Sequence, residues 1–115
     1  MAWLVSDARV LASAEVAVDR AARRHGLLHR DDVSGALVIP RCRWVHTIGM
    51  RFPLDVAFVA EDGTVVKIVC MRRHRVGAPV RGARWVIEAR AGSFERWGLA
   101  PGAVVELRDG AGSEE

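Results

Sequence analysis

Three side chains able to bind a soft metal ion recur at intervals of four residues, at Cys42, His46 and Met50. A thiolate, an imidazole and a thioether together suit soft transition metals. In an extended segment, however, positions four apart are separated by about 13 Å, whereas the ligands of one ion lie within about 4 Å of each other. We therefore expect no bound metal and no other cofactor, and interpret these residues as a core thiol, a hydrogen-bonded imidazole and a core methionine.

Asp55 is the most informative polar residue, because it lies within an apolar stretch over residues 54–60. A buried carboxylate is costly unless a cation or backbone N–H donors lie close by. In a structural interpretation, Asp55 orders the turn over residues 49–53 by accepting backbone amides or by pairing with Arg51. In a functional interpretation, its carboxylate sets the tautomer of His46 at the mouth of a pocket.

Candidates for nucleophilic catalysis are few. Cys42 and His46 are the only nucleophile and base close together in the sequence, and the same separation of about 13 Å applies to them. The sequence has no glycine-rich phosphate loop and no paired-carboxylate motif. Trp44 shares a strand face with Cys42 and His46, so it is the tryptophan that we expect beside a ligand. No catalytic residue is assigned, and the predicted ligand-binding residues are Trp44, His46, Met50, Arg51 and Asp55.

The segments around these residues have mainly the patterns of strands. Apolar residues alternate over residues 10–18, and continuous apolar runs fill residues 35–40 and 54–60. Glu61-Asp62-Gly63 separates residues 54–60 from residues 64–71, which predicts a β-hairpin. Residues 41–47 are expected to be extended.

The remaining segments predict short helices, loops and two further strands. Asp19 is suited to cap a helix over residues 20–25, and Gly98 to end a helical turn that opens at Gly92. Residues 77–82, which contain Pro79, are expected to form a loop. Strands are expected at residues 3–5, 85–89 and 104–108.

With 115 residues, the chain has the length of one domain with a sizeable core. We expect a single globular domain over residues 1–109 and a flexible tail over residues 110–115. The predicted fold is α+β and mainly β, a compact barrel-like or sandwich sheet of about seven short strands with one or two short helices.

The charge pattern argues against a dedicated nucleic-acid surface. The formal net charge is +3, and the cationic side chains are spread along the chain among acidic residues. No apolar run approaches the roughly 20 residues that span a bilayer, and the first residues lack the basic region of a signal peptide. Only Cys42 and Cys70 could form a disulfide. We expect a cytoplasmic protein that keeps both thiols reduced and has no membrane partner.

Several fragments together resemble the domain of unknown function 192 family. The specific part is His46-Thr47-Ile48-Gly49-Met50-Arg51-Phe52-Pro53-Leu54-Asp55. Weaker matches are Gly26-Leu27-Leu28-His29-Arg30, Asp62-Gly63, Ile87-Glu88-Ala89-Arg90-Ala91-Gly92 and Gly98-Leu99-Ala100-Pro101-Gly102. The sequence departs from the family's usual pattern at Ala89-Arg90-Ala91-Gly92 and at Pro101-Gly102-Ala103. The resemblance covers residues 9–108 and implies a small, mostly β domain, with no established activity.

Three functional hypotheses follow. The first is a non-enzymatic binding or accessory module with a cleft near His46, Met50 and Asp55, which takes a small molecule or a peptide. The second is a small enzyme that uses His46, oriented by Asp55, for proton transfer. The third is an arginine-rich surface that docks an acidic partner. The sequence does not indicate an oligomeric state.

Overall fold

The computed structural model describes residues 2–17 and 35–109. Within these residues the chain forms seven strands and one short helix, so the prediction of a mainly β, α+β fold is confirmed. In chain order the elements are β1 Ala2–Ser6, β2 Arg9–Val16, β3 Ala36–Pro40, β4 Leu54–Val59, β5 Val65–Met71, β6 Trp85–Arg90, α1 Ser93–Trp97 and β7 Val105–Asp109.

The predicted hairpin is confirmed as β4 and β5. The amide of Gly63 donates to the carbonyl of Ala60, and the carboxylate of Asp62 accepts from the amide of Thr64 at 3.0 Å. That backbone hydrogen bond from Thr64 lowers the pKa of the exposed Asp62 carboxyl. Gly63 has φ +94°, a conformation that glycine adopts without strain.

All seven strands belong to one mixed sheet, in the order β5-β4-β6-β3-β2-β1-β7. Only β2 and β3 pair in parallel, and the other neighbours are antiparallel. The sheet is sandwich-like and is not closed into a barrel. Its two edge strands approach each other where Thr64 and Val104 form an isolated bridge, and the amide of Val105 donates to the carbonyl of Gly63.

Alternation along β4 divides the core into two clusters on opposite faces of the sheet. Leu54, Val56 and Phe58 pack in one cluster, which residues 41–53 and 71–83 cover. Ala57 and Val59 pack in the other, which includes Phe94 of α1. We call these faces the loop face and the helix face.

The strand predictions at residues 3–5, 10–18, 35–40, 85–89 and 104–108 are confirmed within one or two residues at each end, for the positions that the structure describes. The helical turn between Gly92 and Gly98 is confirmed as α1. Residues 41–47 form no strand of the sheet, and contribute one isolated bridge between His46 and Val76. The predicted helix over residues 20–25 and the tail over residues 110–115 lie outside the described residues.

Gly63 and Gly102 have the same backbone φ of +94°, but differ in how close their neighbours lie. Comparing them separates the effect of backbone strain from the effect of a steric clash. A Cβ on Gly63 would lie 2.5 Å from the carbonyl oxygen of Val105, whereas a Cβ on Gly102 would meet nothing within 4 Å. We expect Gly102→Ala to lower the free energy of unfolding by about 1 kcal/mol, through backbone strain alone. Gly63→Ala should cost about 2 kcal/mol more, because the β5–β7 contact must also open. Urea unfolding of the two variants tests this, and equal losses would contradict it.

Candidate functional site

The buried side chain of Thr47 joins two loops that lie 25 to 28 residues apart in the sequence. Its hydroxyl donates to the carbonyl of Arg72 at 2.5 Å and accepts from the amide of Arg75 at 2.9 Å. Its backbone adds two bonds, because the amide donates to the carbonyl of Arg75 and the carbonyl accepts from the amide of His74. These bonds fix the segment that carries the predicted site residues.

The turn at Gly49 is held by the same two loops. The amide of Gly49 donates to Nδ1 of His74, and the amide of Ile48 donates to Nδ1 of His46. Because both imidazoles accept at Nδ1, their neutral forms carry the proton on Nε2. Nε2 of His46 is therefore the nitrogen that would donate to a ligand.

Trp44 and His46 lie next to each other, although the segment that carries them is not the strand whose shared face the sequence suggested. Their ring centroids lie 5.5 Å apart, and the indole N–H of Trp44 donates to the carbonyl of Gly77 at 2.7 Å. The backbone of His46 bridges to Val76, next along the same loop. Trp44 is 42% exposed, and Ile48 and Val76 are 52% and 61% exposed, so the junction of the loops carries apolar surface in contact with solvent.

Met50 and Asp55 lie on opposite faces of the sheet. Met50 is buried in the cluster of the loop face. The carboxylate Oδ2 of Asp55 accepts from the amides of Gly92 and Phe94 at 2.9 and 3.0 Å, which places it on the helix face. The pair of His46 and Asp55 in the functional interpretation is not formed, because the side chain of Asp55 alternates away from Leu54 and Val56, against which the loops pack.

The structural interpretation of Asp55 is right about the backbone amides but wrong about the turn that they belong to. Asp55 does accept backbone amides, yet these belong to the start of α1 and not to the turn over residues 49–53. Arg51 lies on that turn, exposed to solvent. Whether Trp44, His46, Met50, Arg51 and Asp55 contact a ligand stays a prediction.

Cys70 is the residue of β5 directly opposite Asp55 in the antiparallel register. Partial burial raises the pKa of its thiol, and the charge of Asp55 and a hydrogen bond to that carboxylate raise it further. The nearby guanidinium of Arg72 acts in the opposite direction. The thiol therefore stays protonated to a higher pH than an ordinary cysteine, which makes Cys70 a poor nucleophile.

A groove of about 470 Å³ runs between β5 and residues 75–80. Three of its lining residues are cations, Lys67, Arg72 and Arg75, and no lining residue is acidic. Its other lining side chains are mainly apolar, among them Phe58, Val69, Met71, Val76 and Val80. We call this feature the β5 groove. Val76 and Gly77, which contact the His46 and Trp44 loop, form part of its wall.

Sequence reasoning missed the β5 groove. The sequence suggested an arginine-rich surface for an acidic partner, but not where on the fold such a surface would lie. The signal that could have found the groove is the edge position of β5, which depends on pairings between strands far apart in the sequence. Among the described residues, no group of three or more His, Cys, Asp or Glu side chains is placed to hold a metal ion. The same residues include no helix with the length and apolar character needed to cross a membrane.

A family model confirms the resemblance seen in the sequence. The DUF192 model, described as "Uncharacterized ACR", matches residues 3–107. This chain belongs to the DUF192 family. No curated protein matches it.

Two solved structures resemble this DUF192 domain over most of its length. A protein of unknown function from Novosphingobium aromaticivorans is 23% identical, with a TM-score of 0.77, over 91% of this chain and 82% of that chain. A protein from Sinorhizobium meliloti, provisionally described as a transcription regulator, is 26% identical, with a TM-score of 0.74, over 92% of this chain and 91% of that chain. These likenesses support the fold of an uncharacterised small domain.

Removing the Asp55 carboxylate should destabilise the chain. We expect Asp55→Ala to lower the free energy of unfolding by about 1 to 3 kcal/mol, because the amides of Gly92 and Phe94 lose a charged acceptor in a buried setting. Asp55→Asn should cost less, since an amide oxygen still accepts a hydrogen bond. Denaturant unfolding of both variants, with Glu61→Ala as an exposed control, measures the difference. A stability of Asp55→Ala equal to that of the unmodified protein would contradict the assignment.

The same carboxylate should control the reactivity of Cys70. In a Cys42→Ala background, we expect Asp55→Asn to lower the pKa of the Cys70 thiol, because the negative charge that opposes thiolate formation is removed. Partial burial remains, so the pKa should stay above the ordinary value. The rate of alkylation by iodoacetamide as a function of pH reports the change. Circular dichroism should show that the variant is folded throughout, and an unchanged midpoint of the pH profile would refute the coupling.

Proposed function

We propose that this DUF192 domain is a non-enzymatic binding module whose β5 groove takes an extended acidic peptide segment of a partner protein. The observation that carries the proposal is the lining of the groove, in which every charged side chain is a cation. Such a surface attracts a partner with carboxylates and repels one with cations.

The position of β5 favours an extended ligand. β5 is an edge strand, paired with β4 on one side. In the described part of the chain, no strand pairs with residues 66–71 on the other side. An exposed edge offers a row of backbone donors and acceptors to which a peptide can add as a further strand. Backbone bonds would then provide affinity, and the side chains of the groove would select the sequence.

The cations of the β5 groove can reach such a peptide. Neither Lys67 nor Arg72 forms a side-chain hydrogen bond or ion pair with another described residue. Arg75 makes only a long bond, 3.5 Å, to the carbonyl of Arg73. Their ammonium and guanidinium groups are therefore available to carboxylates, and arginine in particular can bind a carboxylate through two parallel hydrogen bonds.

Trp44 and His46 enter the proposal as part of the rim. They contact Gly77 and Val76, which line the groove, and the exposed apolar surface at this junction continues the binding face. Met50 packs in the core of the loop face, and Asp55 lies opposite Cys70, which lines the groove. The proposal includes a cytoplasmic location, where Cys42 and Cys70 would stay reduced.

Fluorescence anisotropy with two labelled octapeptides tests the proposal. One alternates threonine with glutamate, and the other has lysine in place of each glutamate. We expect the acidic peptide to bind and the basic one not to, because only the first complements the groove. The double variant Lys67→Glu, Arg72→Glu should weaken binding by at least about tenfold.

Arg108→Glu provides a matched control, since Arg108 is an exposed arginine on β7, the opposite edge of the sheet. It should change the affinity by less than about twofold. Equal binding of the two peptides, or an unchanged affinity in the double variant, would overturn the proposal.

A further inference from the structure

A second group of arginines lies at the end of the sheet where β3 stops and β6 begins. Arg41, Arg43 and Arg84 line a hollow of about 430 Å³, together with Cys42, Gly82 and Ala83. No acidic residue lines this hollow, and no carboxylate of the described residues pairs with any of the three guanidinium groups. We call it the arginine hollow.

The backbone holds these arginines close together. Pro40 and Trp85 are the last paired residues of β3 and β6. Beyond them, the amide of Cys42 donates to the carbonyl of Arg84 at 3.0 Å, so the pairing slips by one residue, as in a β-bulge. The amide of Val80 donates to the carbonyl of Arg43 at 2.9 Å, which holds Arg43 against the loop that contains Val80. Like charges held next to each other in this way oppose folding.

Arg41 is also held in a conformation that favours glycine. Its φ is +53°, in the left-handed region that a long side chain rarely adopts. Glycine at this position would remove both the strain and one of the three neighbouring charges. Strained residues concentrate at sites of function, and here the strained residue carries a group suited to binding an anion.

An apolar hollow adjoins the arginines. It has a volume of about 250 Å³, and its lining includes Val16, Val38, Trp85 and Leu107. Arg41 and Arg84 line both hollows, so the two meet at this pair. Leu107 is 37% exposed, which leaves apolar surface open to solvent beside the cations.

We infer that this end of the sheet binds an anionic amphiphile, with a phosphate or carboxylate head group on Arg41, Arg43 and Arg84 and an apolar body in the hollow between Trp85 and Leu107. The guanidinium groups match the oxygens of such a head group, which also relieves their mutual repulsion. The apolar body gains by leaving water. This site is separate from the β5 groove, and its test is independent of the proposed peptide ligand.

Isothermal titration of the whole chain with octyl phosphate tests the inference. We expect saturable binding of one molecule per chain, weaker binding of octanoate, and no binding of octyltrimethylammonium. Inorganic phosphate should bind at least about tenfold more weakly than octyl phosphate, because it lacks the apolar body.

Arg41→Gly is the decisive variant, because it removes a guanidinium group and relieves the strain at φ +53°. The variant should have an equal or higher melting temperature, and its affinity for octyl phosphate should fall by at least about tenfold. Loss of binding in a variant of undiminished stability is not explained by unfolding. Arg75→Gln, which alters only the β5 groove, should bind octyl phosphate normally.

Leu107→Ser should lower the affinity for octyl phosphate and leave the affinity for inorganic phosphate unchanged. Equal binding of the alkylammonium, wild-type affinity in Arg41→Gly, or inorganic phosphate binding as tightly as octyl phosphate would each overturn the inference.

Discussion

The hydrogen bonds of Thr47 are the interaction on which the arrangement of the loop face depends. Residues 41–53 and 72–83 contain no strand of the sheet, so no regular ladder holds them in place. One buried hydroxyl instead provides both a donor and an acceptor to the backbone between Arg72 and Arg75. A single buried polar group can fix two loops in this way because each unmet backbone partner would be costly away from water. The positions of Trp44, His46 and Met50, and the wall of the β5 groove, follow from this junction.

Asp55 has the corresponding role on the helix face. α1 has only five residues, too few to be stable alone, and the carboxylate of Asp55 binds two of the amides at its start. The same carboxylate raises the pKa of the Cys70 thiol on the neighbouring strand. One side chain therefore links a helix, two strands and the chemistry of a cysteine. Thr47 and Asp55, although close in the sequence, therefore stabilise structure on opposite faces of the sheet.

The parts of the fold that could be predicted from the sequence are those specified by local patterns. Glu61-Asp62-Gly63 between two apolar runs marks the hairpin, and the glycines at 92 and 98 delimit α1. The candidate site was harder, because its geometry depends on contacts between distant residues. Asp55 accepts from amides 37 and 39 residues away in the sequence. Its position on β4 directs its side chain to the helix face, whereas Met50, close to it in the sequence, is buried on the loop face. The position of the β5 groove depends on the strand order of the whole sheet, which local hydrophobic periodicity does not encode.

The cations beside β5 also disfavour self-association through the edge of that strand, which pairs with no other described strand over residues 66–71. An unpaired edge invites the same edge of another copy, which is a common route to aggregation. Lys67 lies in the middle of β5, and Arg72 follows its end. If two copies met edge to edge in antiparallel register, the cations of one would face those of the other in a shared low-dielectric seam. Electrostatic repulsion of this kind disfavours self-assembly into extended sheets while leaving the edge open to a chain of opposite charge.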